Sequence, residues 1–190
     1  MINFPDFEIE SNAEISNEFR KLNIFNFRNA AQFVAGLDYG RNANKNDLKT
    51  VFSDNCGTCS TKHALLKKLA QENGFENLKL FLGIFRMNGE NTVEISETLK
   101  KNNLEFIPEA HNYLKYENVI LDFTKVNSSA ADFKNDLLLE IEILPNQISD
   151  FKVDFHKKYL RDWLNQNQKV NFDLAELWEI REKCIEILGN

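Results

Sequence analysis

The segment Asn55-Cys56-Gly57-Thr58-Cys59-Ser60 sets two thiols three positions apart, directly ahead of a stretch of helical composition that runs to Gly74. Three chemistries suit that arrangement. A Cys-x-x-Cys pair in front of a helix can exchange disulfides. Cys56, Cys59 and His63, with His111 as a remote fourth, are donors of the kind zinc takes. A lone thiol in the first turn of a helix, here Cys59, is a nucleophile, because the unpaired N–H groups and the helix dipole there favour the thiolate. The redox pattern wants a buried strand just before its first cysteine. Polar, loop-like Phe52-Ser53-Asp54-Asn55 stands there instead, although Ile107-Pro108 could act as a cis-proline partner. Zinc ranks last, since no second, tightly spaced ligand pair exists; no metal is expected.

A thiolate that attacks an acyl group needs a histidine to protonate the leaving group and a carboxylate to orient that histidine. Residues 109–124 read as a hairpin that can supply both. With its turn at Glu117-Asn118, Tyr116 faces Val119, Tyr113 faces Asp122 and His111 faces Thr124. Alternation then puts His111, Tyr113, Asp122 and Thr124 on one face. His111 and Asp122 become diagonal neighbours, with backbones roughly 7–8 Å apart. A slip of one residue would separate them. Glu109 shares the His111 face and is a rival carboxylate. The Cys59 N–H is the natural first donor to a tetrahedral oxygen. Asn42, Asn55 and the Tyr39 hydroxyl are candidates for the second, and Arg41 suits a substrate carboxylate. Cys184 reads as core. Cys56 reads as a filler, a loop residue or a regulatory disulfide partner of Cys59. His63 reads as a packed or surface histidine, and His156 as facing solvent.

Gly57-Thr58-Cys59, then "STKHALLKKLAQENG", "EAHNYL" and "ILDFT" follow one another between Asn55 and Thr124. In order and approximate spacing this resembles the transglutaminase-like superfamily of the wider papain-like group, and the whole chain is most similar to its small uncharacterised bacterial members. The resemblance implies that Cys59 is the nucleophile, His111 the general acid/base and Asp122, rather than Glu109, the orienting carboxylate. It implies acyl transfer through a thioester without metal or organic cofactor. Hydrolysis of an amide or peptide bond is the expected outcome, on a small-molecule, peptide or protein side-chain substrate. Asn112-Tyr113 replaces a tryptophan often found after the histidine, and Phe123 a proline often found after the aspartate, which leaves the substrate class open. A thiol–disulfide oxidoreductase using Cys56 and Cys59, and an inactive binding module of the same fold, are the alternatives.

The elements that must position these groups are legible in outline. Ile15, Phe19 and Leu22, after possible caps Ser11 and Asn12, predict a first helix, and a second covers Phe27 to Leu37. Residues 36–47 read as a loop. Ala64, Leu65, Leu69 and Ala70 give the cysteine helix an apolar face, with lysines elsewhere and Gly74 as its stop. Residues 78–87 predict a strand buried on both faces, and residues 137–144 another. Two helices follow, the last opened by Asp173 and Glu176 in a capping-box pattern. The expected architecture is α+β: a papain-like core with the nucleophile helix on an antiparallel sheet, flanked by terminal helices, as one domain over residues 1–190.

The 190 residues, 43% hydrophobic and 27% charged, suffice for one core. The net charge of -6 offers phosphates no strong field and argues against nucleic-acid binding. Residues 1–6 lack the basic and apolar regions of a secretory leader, no apolar run approaches membrane-span length, and three cysteines make a poor disulfide framework. A reducing, cytoplasmic setting is expected.

Overall fold

The computed structural model describes residues 4–189. Residues 1–3, part of the stretch read for a leader, and residue 190, the end of the expected domain, lie outside the described residues. In chain order the elements are α1 (Glu14–Lys21), α2 (Phe27–Gly36), β1 (Asp38–Tyr39), α3 (Thr50–Ser53), β2 (Cys56–Gly57), α4 (Cys59–Glu72), β3 (Leu78–Asn88), α5 (Ser96–Lys101), β4 (Phe106–Tyr116), β5 (Val119–Leu121), β6 (Leu137–Ile143), α6 (Asp150–Gln166) and α7 (Leu174–Leu188). The protein is α+β, with an antiparallel sheet in the order β5-β4-β3-β6. No helix among the described residues is long and apolar enough to cross a membrane.

Alternation along β3 and β4 splits the core in two. Leu78, Leu80, Leu82 and Ile84 of β3, with Ala110 and Leu114 of β4, pack against the apolar faces of α1, α2 and α4. On the opposite face Phe85, Met87, Ile107 and Tyr113 pack with Phe133, Leu99 of α5, Leu160 of α6 and Leu177, Ile180 and Cys184 of α7. β3 is therefore buried on both faces, as its continuous apolar run predicts. The expected Asp173–Glu176 capping box opens α7: the Asp173 side chain accepts the Glu176 N–H and Glu176 accepts the Asp173 N–H, each at 2.9 Å.

Several local readings need correction. Ala13, not Ser11 or Asn12, is the N-cap of α1; Ser11 Oγ instead accepts the Ala13 N–H at 3.1 Å. Leu22 lies past the helix and is exposed. The region read as loop contains β1, which pairs in parallel with β2, Asp38 with Cys56 and Tyr39 with Gly57. The lysines of α4 do not all face water. Lys62 and Lys67 are buried, because the helix lies between the sheet and the helices before it. Lys62 Nζ donates to the carbonyls of Leu37 at 2.6 Å and Thr124 at 2.8 Å. The end of α4 is as expected, with Gly74 in the left-handed region at φ 71°.

The β4–β5 hairpin has the predicted register: Tyr116 pairs Val119, Lys115 pairs Ile120 and Leu114 pairs Leu121. The ladder then stops. Asp122 does not pair with Tyr113, nor Thr124 with His111; the chain leaves the sheet at Asp122 and turns toward α4.

Candidate active site

Thr58 caps α4 through a reciprocal box with Thr61, whose Oγ1 accepts the Thr58 N–H at 3.1 Å. Cys59 is thus the first residue of the helix, with N–H groups of the opening turn unpaired within it. Gly57 allows this start. A β-carbon there would sit 2.9 Å from Lys62 Cγ and 3.0 Å from Thr61 Oγ1.

The structure brings Cys59, His111 and Asp122 together. His111 Nε2 lies 2.9 Å from Asp122 Oδ2, which leaves Nδ1 as the nitrogen on the sulfur side. Burial works against ionising Cys59, yet the Lys152 ammonium, the charge and hydrogen bond of His111, and the Asn112 backbone pull the thiol down to about 6. Burial also disfavours the imidazolium, but Asp122 and the Cys59 thiolate raise His111 to about 10. Desolvation alone would raise the Asp122 carboxyl; the charge and hydrogen bond of His111, with the Thr124 donor, hold it well below the usual carboxylate range. Thr124 supplies two donors to Asp122 Oδ1, its N–H at 2.9 Å and its hydroxyl at 2.5 Å. That turn orients Asp122 after the ladder has ended.

His63 is fully buried and ties the Asp122 turn to the cysteine helix. Its Nε2 accepts the Phe123 N–H at 2.7 Å, so its Nδ1–H must donate to the Cys59 carbonyl, also at 2.7 Å. Burial pushes its pKa down to about 4, and the ring is neutral. Its 3.4 Å approach to Asp122 Oδ1 is therefore no ion pair. Sequence reading had His63 as packed or exposed; its positioning role depends on a contact sixty residues away.

Lys152 of α6 was not foreseen. It is buried, with Nζ 3.8 Å from Cys59 Sγ and 2.8 Å from Ser60 Oγ. Ser60 passes its own proton toward Asn112 Oδ1 at 3.0 Å, and Asn112 Nδ2 donates to the Phe81 carbonyl at 3.0 Å. His156, expected in solvent, is buried one turn further on, bonded to the Pro108 carbonyl at 2.8 Å and set against Trp178. A signal existed: Lys152, His156 and Leu160 recur at helical spacing, with Ser149 one turn ahead as the N-cap, and form the buried stripe of α6.

The rival carboxylate, Glu109, does not reach His111. Arg181 of α7 clamps it through two hydrogen bonds, at 2.8 and 2.5 Å. Three loop candidates also have other duties. Asn42 donates to the Cys56 carbonyl at 2.9 Å and accepts from Thr61 Oγ1 at 2.7 Å, stitching loop to helix start. Arg41 pairs with Glu182. Asn55, at φ 51°, makes the left-handed turn before β2. Tyr39, at the end of β1, borders Cys59; its burial, with Cys59 and Glu109 nearby, keeps the phenol protonated and a donor.

Cys59 lies between two cavities. One, of about 560 Å³, is lined by Asn42, Lys152, Trp178 and Arg181 among others; the second, of about 250 Å³, lies on the His111 side against Phe85 and Phe133. All three cysteines are free. Cys56 Sγ faces the Arg41 carbonyl at 4.0 Å, and burial with Asp54 and Asp38 raises its pKa. Burial lifts the core thiol of Cys184 to about 11. No peptide bond among the described residues is cis, so Ile107-Pro108 lacks the form the disulfide reading would use. Nor do the described residues group three or more His, Cys, Asp or Glu side chains that could hold a metal ion. Fold and site define an α+β protein with a cysteine–imidazole–carboxylate constellation at a helix start. No protein-family model, curated protein or solved structure matches the chain.

Proposed function

We propose that this protein is a cysteine-dependent acyl-transfer enzyme with a papain-like, transglutaminase-like core, acting in the cytoplasm on an amide or peptide substrate. One observation carries the reading: Asp122 holds His111 at 2.9 Å, and the free nitrogen of that ring serves the buried sulfur at the start of α4. The Cys59 thiolate adds to the carbonyl carbon. The carbon–oxygen π pair moves to oxygen, where the N–H groups of the first helical turn meet it. On collapse the C–N bond breaks and His111 gives its Nδ1 proton to the leaving amine. Water then loses a proton to His111 as it attacks the thioester, and the sulfur leaves as thiolate. Hydrolysis is preferred to transfer onto an amine, and no cofactor is needed.

Disulfide exchange is the weaker alternative, since the two thiols of Cys-Gly-Thr-Cys face different surroundings and their acidities are shifted in opposite directions. The test is the intact mass of the protein after exposure to a panel of electrophilic peptides and amides, with the modified residue mapped. A single adduct on Cys59 is expected. Equal labelling of Cys56 and Cys59, or a Cys59 no faster than Cys184, would overturn the reading.

A further inference from the structure

Among the described residues, the two carboxylates beside the sulfur already have cations. Asp122 is matched by His111, and Glu109 by Arg181. Lys152 is matched by neither. The ionisable groups that face it are Cys59 from α4, Glu109 from β4, Arg181 from α7 and His156 from its own helix. With Glu109 held by the guanidinium, the remaining counter-charge for the ammonium among the described residues is the Cys59 sulfur, 3.8 Å away. The hydrogen-bond chain beside it has a fixed direction. The Phe81 carbonyl can only accept, so Asn112 must turn its Nδ2 toward β3 and its Oδ1 toward Ser60. Ser60 then donates to Asn112 and presents lone pairs to Lys152, which donates at 2.8 Å. The chain takes Lys152 as a donor; burial lowers the lysine's pKa, while the Cys59 sulfur and Glu109 favour its charged form.

We propose that Lys152 is a fourth catalytic residue: its ammonium holds the charge of the sulfur in the resting site and, as the thiolate adds to the acyl carbon, the charge of the tetrahedral oxygen. No proton leaves the lysine; the S–C bond forms, the π pair moves to oxygen, and the ammonium follows the charge. A donor has to come within about 2.7–3.1 Å of that oxygen. An ammonium 3.8 Å from the sulfur, on a flexible four-carbon stem, is a small movement from that position. Lys152 also lines the larger cavity, where an acyl donor can enter. This inference rests on the acyl-transfer reading for the oxyanion role, whereas the sulfur role can be measured without substrate.

The experiment uses the full chain with Cys56 and Cys184 replaced by Ser and follows iodoacetamide alkylation of Cys59 against pH. In Lys152→Met the midpoint moves up by a unit or more, so the rate at pH 6 falls by about fivefold or more. Lys152→Gln, which keeps a donor to Ser60 without the charge, shows the same loss and serves if the Met variant does not fold. Lys152→Arg keeps the native midpoint. In His111→Ala, Cys59 remains ionised at pH 7, and adding Lys152→Gln abolishes that. An unchanged midpoint in both neutral variants would overturn the assignment, whatever the protein does to amides. Conversely, a shifted midpoint with no acylation by any amide would sink acyl transfer and the oxyanion role, while leaving the ion pair standing.

Discussion

Asp122 divides its two oxygens between different tasks. Oδ2 fixes the His111 ring, and Oδ1 takes both donors of Thr124. The imidazole is thus aimed and made basic by the same carboxylate, which favours a thiolate–imidazolium pair with Cys59. The signs set a pH window. Below about 6 the thiol is protonated; above about 10 the imidazolium, the proposed acid for the leaving amine, is lost. Acylation by an amide should therefore be bell-shaped in pH between those limits, whereas alkylation by iodoacetamide should rise through the lower limit. An amide profile that rises steadily past pH 10 would contradict the His111 acid role. His111→Ala should lower the acylation rate by roughly 10²–10⁴-fold, the usual worth of a positioned acid/base. Cys56→Ser should leave most of it, because that sulfur faces the Arg41 carbonyl.

Secondary elements bring these residues together through two devices. The hairpin carries His111 outward on the β4 face opposite α4, and the turn after β5 bends Asp122 back toward it. Gly83 of β3, paired with His111, leaves room for the Tyr113 ring, which is bonded to Glu140. A β-carbon at Gly83 would lie 2.8 Å from Leu137 Cδ1 and 2.9 Å from Tyr113 Cε1. Gly83→Ala should cost about 1–3 kcal/mol in urea unfolding, as overpacking of a filled core does. A neutral result would show that the ring and Leu137 yield without strain. The strands of the four-stranded sheet, the register of the hairpin next to its turn and the terminal helices were legible in the sequence because they rest on local periodicity and turn spacing. The buried lysines were not, since a lysine in an amphipathic pattern reads as solvated. The lysines of α4 read as solvated because the central place of that helix is a tertiary fact, and Lys152 drew no reading because its partners stand more than ninety positions away. The duties of Asn42 and Arg41 were hidden likewise: Thr61 and Glu182 claim them only after folding.

Across the whole molecule, the burial of neutral imidazoles has a cost in acid. His63 has its pKa pushed down to about 4 by burial, and burial lowers His156 as well. Their unfolded counterparts titrate near 6.5, so the unfolded chain binds more protons as pH falls below that value. Stability should be fully present above pH 6.5 and decline as pH drops toward 4, by roughly 3 kcal/mol for His63 alone. His63→Asn should flatten that slope; a native-like slope in the variant would mean His63 is not the group that titrates. The Cys59 and His111 shifts act oppositely above pH 6.5 and largely offset each other. The central claim is that one sulfur, one imidazole and one carboxylate act as a unit on an acyl group. The most direct measurement is the single-turnover rate at which an activated peptide ester acylates Cys59, mapped by mass, in native protein and in Cys56→Ser, His111→Ala and Asp122→Ala. Acyl-Cys59 should form in native protein and Cys56→Ser at similar rates, with large losses in the other two. Equal rates in native protein and His111→Ala, or acylation that disappears with Cys56, would contradict it.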